Sequence, residues 1–107
     1  MINIDNLANS LHNTAKEKGF WDDNNGIIFY LKQLMMVTTE VAEVAEAMRK
    51  SQGDRAVVRE LADVIIRTLD LYAGLVEDGY TKESLQENLL DKAEYNSERP
   101  TMHGLLA

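Results

Sequence analysis

The sequence predicts an all-α fold of four helices, and three observations carry that expectation. The one proline is Pro100, so nothing of that kind interrupts a helix through the first 99 residues. Apolar residues return at three- and four-residue spacing in four separate stretches, which is the helical period. Short polar turns containing Gly19, Gly26, Gly53 and Gly79 separate those stretches. Connections this short favour antiparallel neighbours.

The first helix is expected over residues 4–18, with Ile4, Leu7, Ala8, Leu11 and Ala15 on one face. Asp5 or Asn6 is its candidate cap and Gly19 its stop. Phe20-Trp21-Asp22-Asp23-Asn24-Asn25-Gly26 then reads as a loop with two adjacent large aromatics. Each ring has two readings, a plug for the end of the bundle or a platform for a flat ligand such as a nucleobase. The second helix is expected from Gly26 or Ile27 to Lys50, with Leu34, Val37, Val41, Val44 and Met48 as its apolar stripe. Gln33, Met36, Glu40 and Glu43 form a neighbouring stripe that turns acidic.

The third helix is expected after Gly53, capped by Asp54 and running to about Val76. Leu61, Ile65, Leu69, Tyr72 and Val76 make its stripe. Beside them run Glu60, Asp63, Arg67 and Asp70, where Arg67 is expected to pair with Asp63 or Asp70 at the surface for little gain. A fourth helix is expected over residues 82–97, capped by Thr81, with Leu85, Leu89 and Ala93 facing inward. Lys92, Asn96 and Arg99 share one side of it. They read either as a solvated helix end favoured by the dipole or as phosphate donors leaning over the acids. The tail Thr101–Ala107 carries no derivable chemistry.

Residues 38–70 hold the strongest functional signal. Glu40 and Glu43 lie three apart on one helix, Glu60 and Asp63 three apart on the next, so each pair shares a face. In an antiparallel hairpin about Ser51–Asp54, Glu43 and Glu60 are equidistant from the turn, and so are Glu40 and Asp63. The hairpin therefore stacks four carboxylates in two rungs if both pairs face inward. Their repulsion calls for a positive partner, and oxygen-only ligands select a hard ion, Mg2+ with Mn2+ as substitute. The competing reading is an ordinary solvated acidic face. Apolar neighbours on both helices and the mirror spacing favour the metal.

Composition narrows the remaining classes. The 107 residues suit a single domain, and a core that small makes self-association a reasonable source of further burial. A net charge of −7 disfavours a nucleic-acid polymer as partner, though bound metal lets a nucleotide approach. No cysteine is present, which excludes disulfides, zinc-thiolate and iron–sulfur sites. No apolar run reaches the roughly 20 residues of a membrane span, and MINIDNLANS lacks the pattern of a signal peptide, so a cytoplasmic location is the expectation. Neither His12 nor His103 follows a glutamate at the spacing of di-iron bundles. Metal-assisted phosphoryl chemistry fits best, with an unligated glutamate as base.

TEVAEVAEA followed by RELADVIIRTL resembles the E-x-x-E…E-x-x-D signature of the MazG-like, all-α nucleotide pyrophosphohydrolases. The interval between Glu43 and Glu60 falls in that family's range. AKEKGFWDDNN and KAEYNSERPTMHG are similar to the ends of small MazG-like proteins, so the resemblance spans nearly the whole chain. One departure is Thr39, where many members carry a further glutamate; it leaves open the outer hydrogen bonds of the site. The resemblance implies hydrolysis of a nucleoside triphosphate between its α and β phosphates, to a monophosphate and pyrophosphate. It implies that Glu40, Glu43, Glu60 and Asp63 hold Mg2+ and that Glu43 activates the water. It implies phosphate contacts from Lys92, Asn96 and Arg99, base or sugar contacts from Trp21, Phe20 and His12, and a homodimer or dimer of dimers. The alternative is a non-catalytic helical module, binding nucleotide or partner, with a structural metal.

Overall fold

The computed structural model describes residues 1–100; Thr101–Ala107, with the His103 end of the family-like segment, lies outside them. Among the described residues the chain is all helix and turn: α1 Ile4–Glu17, α2 Ile27–Arg49, α3 Asp54–Glu77 and α4 Leu85–Glu98. No helix among them is long and apolar enough to cross a membrane.

The helix ends follow from local chemistry and correct three expected caps. Asn3, not Asp5 or Asn6, caps α1, its side chain accepting from the Asn6 amide at 2.9 Å. Asp5 is thereby free to tie α4 down, accepting from the Ser84 hydroxyl at 2.5 Å and the Gln86 amide at 3.0 Å. Asp54 lies inside α3 as its first residue, after Gly53. Helix α4 starts at Leu85 rather than 82, because Ser84 accepts from the Glu87 amide and makes the better cap. Helix α1 closes through Gly19 at φ 82°, with the Phe20 amide reaching back to the Ala15 carbonyl at 3.0 Å. Helix α2 closes the same way through Ser51 at φ 53°, a conformation that costs a non-glycine residue about 1–2 kcal/mol.

Helices α2 and α3 form the expected antiparallel hairpin, and α1 packs along α3. The core sits at the end of α3 away from the hairpin turn. Ala8 of α1 meets Leu69 and Ala73 there, while Trp21 packs with Ala15, Phe29 and Leu71. Tyr30 and Asn24 both donate to Asp78, pinning the connection between α1 and α2 to the end of α3.

Which stripe of α2 faces inward differs from expectation. Gln33, Met36 and Glu40 are half-buried, and Val44 and Ala47 are buried, whereas Leu34, Val41 and Met48 stand exposed. On α3 the expected stripe splits. Leu69 is buried under α1, but Leu61 and Ile65 are exposed. The expected α2 stripe splits as well: Val37 and Val44 turn inward and share the seam with Gln33, Met36 and Glu40, while Glu43 stays outside. Helix α4 leans on α1 through Leu85 and buries no residue, so Leu89 and Leu90 are exposed and four helices do not close into one bundle.

Candidate functional site

The site lies on the hairpin seam and spans the two levels fixed by equal distance from the turn. Carboxylate oxygens of Glu40, Glu60 and Asp63 come within 4.8 Å of one another. The fourth expected ligand, Glu43, stands at the rim. Three residues turn a helix by about 300°, so Glu43 points some 60° away from Glu40 and is exposed. It still feels the cluster. The charge of Glu40, a hydrogen bond shared with Glu40, desolvation and then Glu60 hold the Glu43 carboxyl above its ordinary value.

Glu60 is the acid with the most to gain from a cation. Its Oε2 is buried and has no hydrogen-bond partner, and a buried charged oxygen left in that state is costly. Glu40 is the best satisfied of the three, because Arg67 Nε donates to its Oε1 at 2.8 Å. Arg67 therefore reaches across the seam to α2, instead of pairing with Asp63 or Asp70 on its own helix. The reason is geometric: the side chain lies on the face that α2 covers, where Glu40 is the near acceptor.

Beside the acids opens a cavity of about 320 Å³. Leu11, Ala15, Phe20 and Ile66 form its apolar wall, and Glu40, Asp63 and Arg67 its polar end. Asp70 also lines it, with Thr14 and Lys18 at the α1 side. Phe20 is 63% exposed, so it is a ring free to meet a ligand.

Trp21 and His12 are placed differently from the expected base contacts: both sit behind Asp70, in the core. Trp21 is 8% exposed, and its Nε1 donates to Asp70 Oδ1 at 2.9 Å. Its ring lies against Gly74 so closely that a Cβ there would come within 2.1 Å of it. His12 stands edge-to-face on the Trp21 ring at 4.6 Å. The imidazole Nδ1 lies 2.8 Å from Asp70 Oδ1, and Nε2 lies 2.7 Å from Glu77 Oε2. Lys16 donates to the other oxygen of Glu77. Burial and these bonds make Trp21 the plug of the two sequence readings, and make both residues supports that fix Asp70 on the cavity wall.

The cations expected on phosphate are not brought to the acids within one chain. Lys92, Asn96 and Arg99 lie on or just after α4, and none of them lines the cavity. Arg99 packs over the Tyr95 ring at 5.4 Å. Arg67 and Asp70, expected only as members of a surface ion pair, are the cavity-lining residues that the sequence reading missed. Their signal is the continuation Glu60, Asp63, Arg67, Asp70 along one side of α3.

No protein-family model, curated protein or solved structure matches the chain.

Proposed function

We propose that the chain is a Mg2+-dependent nucleoside triphosphate pyrophosphohydrolase, cleaving between the α and β phosphates to release a monophosphate and pyrophosphate. The observation that carries this is the convergence of Glu40, Glu60 and Asp63 around a buried, unpartnered oxygen beside a cavity with an apolar wall. Carboxylates without histidine or cysteine fit a hard divalent ion, and the orphaned Glu60 oxygen supplies a reason to bind one. Glu40, Glu60 and Asp63 would hold it, with Glu43 adjacent. Bound there, Mg2+ or Mn2+ polarises phosphate oxygens and offsets their charge.

The chain's own groups do the rest. Glu43 is accessible and stands beside the cluster, where it takes the proton of the attacking water. Leu11, Ala15, Phe20 and Ile66 receive the base and sugar, and Asp70, fixed from behind by His12 and Trp21, accepts an N–H of the base. In this reading the protein works as a homodimer or dimer of dimers. Leu34, Val41, Leu61 and Ile65 supply apolar area that a second copy would cover. Assembly is also how Lys92, Asn96 and Arg99 of one copy would reach the phosphates held by another.

The test is pyrophosphate release from a panel of ribo- and deoxynucleoside triphosphates, with Mg2+ and with EDTA. Release from one or a few nucleotides is expected, lost with EDTA and reduced by about 10²–10³ or more in Asp63→Asn. If neither pyrophosphate nor hydrolysis of diphosphates appears, the non-catalytic module becomes the better reading.

A further inference from the structure

We propose that Arg67 is a phosphate-binding residue that the resting site parks on Glu40, so that a divalent cation and the guanidinium compete for one carboxylate. The inference rests on the metal-dependent reading above and adds a residue and an order of events to it.

Two observations and two general constraints converge. Arg67 Nε donates to Glu40 Oε1, on one of the three acids whose oxygens cluster. A hard divalent ion takes six or more oxygens and draws on the same carboxylate charge that the guanidinium neutralises. A guanidinium so near would also repel the ion, so binding favours its departure. The two partners differ in freedom: the Arg67 side chain is 39% exposed and the Glu40 side chain 12%. Arg67 can leave toward the cavity, while Glu40 is held in the seam.

The destination follows from position. Arg67 lies one turn beyond Asp63 on α3 and lines the same cavity. The described contact uses one of its five N–H donors. Once released, the planar fork matches two phosphate oxygens, a geometry lysine cannot reproduce. Before the ion binds, Arg67 limits the repulsion at Glu40; afterwards it meets the phosphates that the ion brings. The empty site is spared one bare charge, and the loaded site gains a phosphate ligand.

The experiment measures Mn2+ binding alone, then inorganic tripolyphosphate binding with Mn2+ present, for the wild-type chain, Arg67→Gln and Arg67→Lys. Arg67→Gln is expected to bind Mn2+ about tenfold more tightly and tripolyphosphate at least tenfold more weakly. Arg67→Lys keeps the charge but not the fork, so it should bind Mn2+ as the wild type does and tripolyphosphate more weakly. Unchanged or weaker Mn2+ binding in Arg67→Gln, or tripolyphosphate binding unchanged in both variants, overturns the proposal and leaves Arg67 as a prop for Glu40. If the wild type binds no Mn2+ at millimolar levels, or Asp63→Asn binds it equally well, the metal reading itself fails and takes this inference with it.

Discussion

The two ends of α3 carry the same kind of residue in opposite circumstances. Toward Glu77, each acid has donors: Asp70 holds His12 and Trp21, and Glu77 holds His12 and Lys16. Toward the hairpin turn, Glu60 and Asp63 face Glu40, and a buried oxygen of Glu60 has no donor. One end is covered by α1 and contains the core, while the other leaves Leu61 and Ile65 exposed. A carboxylate surrounded by donors is held in place, whether as a brace, like Glu77, or on the cavity wall, like Asp70. A set of carboxylates turned on one another beside apolar surface is an expense that only a ligand or partner offsets. Acidic spacing alone therefore does not distinguish a brace from a site; the donors within reach do.

The comparison breaks most visibly at the core end. Trp21→Ala is expected to lower stability by about 3–5 kcal/mol, the cost of a buried large-to-small change. Gly74→Ala should cost about 1–3 kcal/mol, because the added methyl must displace the Trp21 ring, which has little room to move. Thermal melting of both variants checks this. A Gly74→Ala chain as stable as the wild type would mean that the ring is not seated on α3.

At the hairpin end the sign should reverse. Glu60→Gln removes one charge from the repelling set and is expected to raise the melting temperature in EDTA by a few degrees. Glu77→Gln, which removes an acceptor from Lys16 and His12, should lower it. Added Mg2+ should stabilise the wild type and leave Glu60→Gln nearly unmoved. Destabilisation by Glu60→Gln in EDTA would place that acid with the braces and remove the distinction between the two ends.

Much of this architecture was readable from the residues. The glycine-bearing turns and the proline-free run gave four helices within a few residues of their ends, and equal distance from the turn paired Glu40 with Asp63 and Glu43 with Glu60 in two rungs, of which three acids cluster. Orientation about the helix axis was harder. Leu34, Val41 and Met48 look like the buried face of α2 because burial is usually inferred from apolarity, yet a single chain has nothing to lay on them. The Trp21–Gly74 contact joins residues far apart in sequence, and no periodicity encodes such a pair. A hint existed all the same: glycine inside a helix costs roughly 0.5–1 kcal/mol relative to alanine, so Gly74 pointed to a close approach. Arg67 escaped because neighbours on its own helix are visible in the sequence, whereas Glu40 across the seam is not.

The smallest expected effect concerns acid. Lys16, then His12, hold the Glu77 carboxyl below its ordinary value of 4.5. A group depressed on folding contributes stability that is fully present above its unfolded value and is lost as pH falls through the folded one. The contribution of Glu77 should thus be constant from neutrality down to about pH 4.5 and decline below it. Glu43 acts with the opposite sign: its raised carboxyl weakens the fold when ionised, and protonation relieves that strain as pH falls toward and below its folded value. Melting curves of the wild type and Glu77→Gln in EDTA should therefore run parallel above about pH 5 and converge below it. A gap that stays constant down to pH 3 would mean that the Lys16–Glu77–His12 chain does not hold the C-terminal half of α3.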